Sequence, residues 1–404
     1  MTLSEELEWR GFIHQTTLDD IKALDVKKVT FYHGFDASAD SQTVGNLAGM
    51  MFDKTLMRHG HKAILLAGGA TSLIGDPGGK DAERPMQSEE TIAHNVAQAE
   101  VQLKRIHEGT EFILVNNIDW IKNMSVIQYL RDVGKHFSMT QLLDRDYIAR
   151  RIKDGGTGIS YTEFSYSLLQ GLDFMHLYDE YECTLQVGSS DQWGNCVAGI
   201  DLIRRARGAE VHVLTHPLVI NKATGKKFGR SEEGAVWLDE SKTSVYKFYQ
   251  FWLNVDDQGV IEYLKVYTVL NKDQIDKLTE NAKQDPGARE AQKVLAYEVT
   301  KLVHGQDRAE SVKRVTDVLF GERSVTDLND EDIESLAAEI PTVKVGVSVV
   351  DALVSTGIAT SNGEARRLIE SGGITVNGQK IDSDKEPQAV SIVKKGKNAF
   401  ILVK

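Results

Sequence analysis

Residues 31–47, FYHGFDASADSQTVGNL, constrain the fold of this chain more than any other segment. The β-branched and aromatic run at 29–32 stops at Gly34, a polar loop follows, and an apolar helical pattern begins at Val44 and continues through Leu47 and Met51. A strand feeding a helix through a polar loop predicts a crossover unit of a parallel sheet. In such a unit loop side chains and helix N–H groups gather outside the carboxyl end of the strand, where nucleotide phosphates bind. Asp36, Ser38 and Asp40 offer polar groups for an adenosine, and Tyr32 offers an aromatic for a side chain.

The same alternation continues down the chain. Residues 62–67 (KAILLA) read as a second buried strand, followed by Gly68, Gly69 and a long glycine-rich loop. Ser88 opens a helix of about 19 residues with Glu89 and Glu90 in its first turn, where the helix dipole favours acids. Further strands are expected at 111–115 (EFILV), 184–187 and 211–214. This pattern predicts the α/β class, a Rossmann-like doubly wound parallel sheet with active-site groups on the loops at the strand ends. Residues 1–28 read as one or two amphipathic helices without identifiable chemistry.

From 244 to 304 the pattern is helical, carried by Tyr246, Phe248, Tyr249, Phe251, Trp252, Ile261, Leu264, Leu295, Val299 and Leu302. An acidic stretch ending in Pro341 and Gly346 reads as a linker. Beyond it, helical patterns at 349–355 and 362–371 and short strands at 374–376 and 399–403 suggest a small α+β module. The expected domains are therefore 1–225 (catalytic), 226–325 (basic loop and helical domain), 326–345 (linker) and 346–404 (C-terminal module).

A net charge of −12 argues against a protein that simply coats nucleic acid, so any RNA contact must be local. Residues 342–404 hold nine Lys and Arg against six Asp and Glu, which makes this tail basic at +3 within an acidic protein. Arg366, Arg367, Lys394, Lys395 and Lys397 are its candidates for phosphate contact. Only Cys183 and Cys196 are present, which excludes a disulfide framework or a four-cysteine zinc site and fits a reducing compartment. The N-terminus lacks an apolar leader and no window approaches the ~18 apolar residues of a membrane span. A cytoplasmic protein without membrane contact is expected.

Four polar constellations stand out. The loop after Gly68 carries Gly79-Lys80 but is no phosphate loop, because Lys80 is followed by Asp81 and no glycine stands five positions before Gly79. Asp76 then reads as a strand-end contact and Lys80 and Arg84 as mobile cations. In 161–173, YTEFSYSLLQGLD, the four-then-three spacing of Tyr166, Gln170 and Asp173 stacks a hydroxyl, an amide and a carboxylate on one helix face. In 186–195, QVGSSDQWGN, Asp191 sits where a carboxylate binds ribose hydroxyls or caps a helix. Residues 221–234, NKATGKKFGRSEEG, form a cationic glycine-containing loop suited to closing over a triphosphate, or simply a basic surface.

In order along the chain, GFDASADS, GGATSLIGDPGGK, LRDVGKHFS, TEFSYSLLQGLDF, GSSDQWGN, KKFGRSEEG and KFYQFWLNVDD resemble the blocks of class I aminoacyl-tRNA synthetases, specifically the bacterial tyrosyl-tRNA synthetases. The tail TGIATSNGEARRLIESGGITVNGQKI resembles an S4-type RNA-binding domain. The resemblance implies that tyrosine and ATP form tyrosyl-adenylate and pyrophosphate, and that tyrosine then passes to the 3′ end of tRNA(Tyr). It implies Tyr32 and Asp173 at the substrate phenol, Asp76, Tyr166 and Gln170 at its ammonium, and Gln192 and Asp36 near the reacting groups. Asp191 would hold the ribose, with Gly34, Ser38, Gly45 and Gly188 lining the nucleotide. Residues 43–46 stand at the HIGH motif, with Thr43 and Asn46 in place of both histidines, and Lys227, Arg230 and Ser231 stand in the KMSKS-like segment. Lys80 and Arg84 match the family's mobile-loop cations. Magnesium would accompany ATP as part of the substrate, with no tightly bound cofactor and no protein metal site. A homodimer is implied, and the Tyr32–Asp173 pair disfavours tryptophan as the amino acid.

Overall fold

Aliphatic and β-branched runs form the main sheet: β1 (Gln15–Thr16), β2 (Thr30–Phe35), β3 (Lys62–Ala67), β4 (Phe112–Asn116), β5 (Cys183–Ser189) and β6 (His212–His216). The structure, a computed structural model, describes residues 1–75, 87–138, 152, 158–231, 234–396 and 399–404. The strand order is β1-β6-β5-β2-β3-β4, with β2 to β6 mutually parallel and β1 antiparallel on β6. From β2 the chain winds outward through β3 and β4, then returns to lay β5 on the other side of β2. The connections thus diverge between β2 and β5, which opens a crevice at the carboxyl ends of those strands. The doubly wound sheet expected from sequence is present. The N-terminal segment differs from expectation, because Gln15 and Thr16 pair with Thr215 and Leu214 and add an edge strand between the helices Leu3–Arg10 and Ala23–Val26.

Alternation along β2 sorts its side chains to two faces. Tyr32 points into a core with Leu172, Phe174 and Leu177 of the helix Tyr161–Tyr181 and Leu202 and Ile203 of the helix Trp193–Arg207. His33 points the other way, toward Asp53 of the helix Val44–Arg58. The long helix Tyr161–Tyr181 begins at a capping box, in which the Glu163 backbone N–H donates to Ser160 Oγ and the Ser160 N–H donates to the Glu163 carboxylate.

The chain divides into two compact units, Met1–Thr243 with Trp252–Leu295, and Ser244–Phe251 with Ala296–Lys404. In the first, a short antiparallel pair of β7 (Arg230–Ser231) and β8 (Gly234–Ala235) follows the main sheet in the chain. The helices Val260–Tyr267 and Lys272–Gln284 also belong with the sheet, whereas the sequence reading placed them in a separate 226–325 domain. The reason is aromatic packing: Phe228 stacks on Tyr263 at 4.3 Å between centroids and also meets Trp252 and Tyr267.

In the second unit, the stretch 326–345 is more than a linker. It contains the helix Asp330–Ala337 and β9 (Thr342–Val343). β9 joins β10 (Ile374–Val376), β11 (Gln379–Lys380), β12 (Ser391–Lys395) and β13 (Ala399–Val403) in a sheet of order β11-β10-β12-β13-β9. Ile392, Phe400 and Leu402 of this sheet share an apolar cluster with Val315, Leu319 and Leu336. A boundary at 346 would therefore cut through a strand pairing and a core.

Candidate active site

The crevice between β2 and β5 opens into a cavity of ≈ 520 Å³. Of the residues singled out from sequence, Tyr32, Gly34, Asp36, Thr43, Gly45, Asn46, Tyr166, Gln170, Asp173, Gly188, Asp191, Gln192 and Lys227 line it together. Ser38 and Ser231 are exposed and are not part of the lining. Asp76, Lys80 and Arg84, and the side chain of Arg230, lie outside the described residues.

One half of the cavity is deeply buried. Asp173 is 2% exposed and accepts hydrogen bonds from Asn117 Nδ2 at 3.0 Å and Trp120 Nε1 at 2.9 Å. Burial pushes its carboxyl up to about 7, since removal from water outweighs the two donors that favour the anion. Tyr32 is 1% exposed, and burial raises its hydroxyl well above the ordinary phenol value, so Oη stays protonated. Tyr32 Oη and Gln186 Oε1, opposite each other across β2 and β5, have no hydrogen-bond partner among the described residues. Unpaired buried polar atoms on a cavity wall are completed by a polar ligand. Tyr166 Oη donates to the Asp36 carboxylate at 3.0 Å, and Gln170 Nε2 lies 3.8 Å from Cys196 Sγ.

The other half sits at the N-terminus of the helix Val44–Arg58, which favours anions. Thr43 is the N-cap. Its backbone N–H and its hydroxyl both donate to Asn46 Oδ1, at 3.0 and 2.7 Å. The basic segment docks here through its backbone: Val44 N–H donates to Val236 O, Val236 N–H to Gly229 O, and Leu238 N–H to Gln42 O. Gly229, at φ 97°, is required on two counts, because a Cβ there would lie 2.8 Å from Gly45 N and L side chains avoid that backbone conformation. Phe228 anchors the segment in its aromatic cluster, which presents Lys227 to the cavity, where Nζ meets Asp191 at 3.2 Å. Ser189 Oγ donates to the other Asp191 oxygen.

Sequence reasoning did not find Asn117, Trp120, Gln186 or Phe228. Asn117 carried a signal, as a polar residue directly after a strand on the cavity side. Its Oδ1 accepts from Ala70 N–H at 2.7 Å, so it ties the turn after β3 to Asp173. Trp120 carried none, because its role depends on a helix 53 positions away in sequence.

A doubly wound sheet with a helix N-terminus and a docked basic segment at its switch point defines a class I tRNA synthetase catalytic domain, and the family model for class I tRNA synthetases (W and Y) matches residues 25–321. A second model, for the tyrosine–tRNA ligase SYY-like C-terminal domain, matches residues 332–403. The chain is 43% identical to the tyrosine–tRNA ligase of Geobacillus kaustophilus (strain HTA426), with 100% of both chains covered. It is 42% identical to that of Staphylococcus haemolyticus (strain JCSC1435), covering 99% of this chain and 98% of the relative. Among solved structures it is similar to a C-terminally truncated Aspergillus nidulans mitochondrial tyrosyl-tRNA synthetase, with TM-score 0.70 and 31% identity over 79% of this chain and 94% of that one. The chain belongs to the tyrosine–tRNA ligase family of aminoacyl-tRNA synthetases.

Proposed function

We propose that the buried half of the cavity selects L-tyrosine and the helix-terminal half holds ATP, entering with Mg2+ as its substrate complex, so that the tyrosine carboxylate meets the α-phosphate between them. Tyrosyl-adenylate and pyrophosphate result, and the terminal ribose of tRNA(Tyr) then takes the acyl group. The observation that carries this reading is Tyr32 Oη, buried without a partner among the described residues in the same pocket as Asp173. A substrate phenol can accept from Tyr32, giving it the partner it lacks, and donate to Asp173 as a third donor. Tyr166, Gln170 and Gln192 would receive the ammonium and carboxylate end, with Asp36 orienting Tyr166. Asp191 and Asn46 would meet the ribose, while Thr43, Gly45 and Lys227 meet the phosphates. Asp76, Lys80, Arg84, Arg230 and Ser231 keep the roles that the resemblance implies. No covalent nucleophile is needed, because placement and electrostatic stabilisation supply the rate. Tyrosine-dependent exchange of pyrophosphate into ATP tests the reading, and folded protein without exchange above background would reject it.

The C-terminal module would contact tRNA through Arg366 and Arg367, which are exposed. Lys394 and Lys395 contribute less than the sequence suggested: Lys394 Nζ donates to Leu319 O and lies over Phe320 and Phe400, and Lys395 Nζ donates to Ile358 O. Lys397 lies outside the described residues. A homodimer has physical support in the helix Val126–Asp132, where Val126 and Ile127 are each 72% exposed. Changing both to Glu should then halve the hydrodynamic mass. No helix among the described residues is long and apolar enough to cross a membrane, and a cytoplasmic site of action fits two buried cysteines that are not joined in a disulfide.

A further inference from the structure

The helix-terminal half of the cavity contains titratable side chains outside the roles assigned above. His33 of β2, Asp53 of the helix Val44–Arg58 and His216 of β6 all line it. His33 Nδ1 lies 2.9 Å from both Asp53 oxygens, and Asp53 is 2% exposed, so the imidazole is clamped through one nitrogen. His33 lines the cavity with its side chain 18% exposed, and its other nitrogen is bonded by none of the described residues. Gly49 makes the room: a Cβ there would lie 2.9 Å from His33 Cε1 and 3.3 Å from His216 Nε2. Gly49 and Asp53 are four residues apart, so one helix face both opens this space and holds the ring bordering it. His216 Nδ1 donates to Pro217 O at 3.0 Å, which leaves its Nε2 as an acceptor.

Meanwhile Thr43 and Asn46, which stand where the family signature has histidines, are bonded to each other. We propose that His33, oriented by Asp53, is a nucleotide-positioning residue that donates from Nε2 to ATP, and that this chain thereby draws from β2 an imidazole donor that its helix N-terminus lacks. The assignment rests on the reading that this half of the cavity holds ATP.

Burial opposes the charged imidazolium, but the Asp53 carboxylate outweighs burial and holds the His33 pKa above the ordinary imidazole value. The other groups facing the cluster act more weakly or in the opposite sense. Burial pushes His216 down to about 4, and His107, behind Asp53 with Lys54 nearby, also to about 4, so both are neutral near pH 7. Asp191 faces His216 from the turn after β5. The His33 donor is therefore cationic at low pH and loses its charge as pH rises through its raised pKa.

The test compares His33→Ala, His33→Gln and Asp53→Asn with the unaltered enzyme, in pyrophosphate exchange across pH 5.5–9 and in equilibrium tyrosine binding. Loss of a charge-assisted hydrogen bond predicts a rise in KM for ATP on the order of tenfold or more in His33→Ala. Tyrosine affinity should stay within about twofold. In the unaltered enzyme KM for ATP should rise with pH through the His33 titration. That rise should shift to lower pH in Asp53→Asn and vanish in His33→Gln, a change that lost packing alone would not produce. Unaltered ATP dependence and pH profile in the His33 variants overturn the proposal if Lys227→Ala raises KM for ATP. If Lys227→Ala and Thr43→Ala also leave ATP dependence unchanged, the placement of ATP in this half is what fails. A parallel loss of tyrosine binding in both His33 variants also overturns it, since the residue would then be a general support of the cavity.

Discussion

Asp173 and Asp191 line one cavity, yet their surroundings differ in kind. Asp173 is enclosed, holds two donors from Asn117 and Trp120, and has its carboxyl pushed up to about 7 by burial. Asp191 faces solvent with a side chain 42% exposed, and its ion-pair partner Lys227 is more open still, at 65%. A buried pair of this kind fixes geometry, because moving either member leaves a polar group unpaired away from water. An exposed pair contributes little to stability and is easily exchanged for a stronger partner. The first suits recognition of a neutral hydroxyl, where the wrong substrate would leave Tyr32 Oη unpaired and deny Asp173 a third donor. The second suits a multiply charged substrate, for which, on the proposed reading, Lys227 would leave Asp191 and follow the phosphates.

The largest expected effect is on the exposed side. Lys227→Ala should lower the rate of adenylate formation by about 10²–10³-fold, the scale for removing one donor aimed at transition-state charge. Tyrosine affinity, measured by equilibrium dialysis, should not change. A fall in tyrosine affinity instead would erase the distinction between the halves.

Asp173→Asn comes next. It should reduce kcat/KM for tyrosine by about 10–100-fold, the range for a lost hydrogen bond to a charged group. Discrimination against phenylalanine should fall with it, because the amide no longer requires a phenolic donor. pH separates the halves further. As a carboxyl of raised pKa, Asp173 binds a proton in the folded chain between about 4 and about 7, where the unfolded chain has released it. Its contribution to stability therefore falls as pH rises across that window and is constant above it. The anion is also the better acceptor for a phenol, so KM for tyrosine should rise as pH drops below about 7, and this dependence should be absent in Asp173→Asn.

A smaller effect is expected at the docked segment. Gly229→Ala forces a Cβ against Gly45 N in a backbone conformation that costs on the order of 1–3 kcal/mol for a non-glycine residue. Adenylate formation should slow while tyrosine binding persists, as read by single-turnover kinetics.

What was legible in the sequence follows the same division. The parallel strands carried continuous apolar runs, so KAILLA marked β3 to the residue. Ser88 marked a helix start because a cap residue is a local signal. The helical spacing of Tyr166, Gln170 and Asp173 likewise predicted their shared face, and all three line the cavity. Contacts that depend on distant parts of the chain left no such trace. Trp120 reaching Asp173, Phe228 stacking on Tyr263 and Asp53 holding His33 each join residues whose neighbourhood the fold alone decides. β1 and β9 were missed because two residues are too few to show alternation.

Thr43 is where the comparison is sharpest, because its hydroxyl has a local partner and its proposed phosphate contact exists only with ATP bound. Oγ1 donates to Asn46 Oδ1, so the helix start is stabilised by a side-chain pair that a phosphate would have to displace. Thr43→Ala removes both interactions. The cap residue contributes about 1 kcal/mol to stability in typical helices, which sets the expected loss in thermal denaturation. Its effect on adenylate formation should be about tenfold or less, since a hydrogen bond to phosphate replaces the one to Asn46 and only the difference between them acts on the rate. Thr43→Ser retains the hydroxyl and should restore most of the rate. If Thr43→Ala instead slows the reaction as severely as Lys227→Ala, then Thr43 bears transition-state charge directly, and the bond to Asn46 is only its resting position.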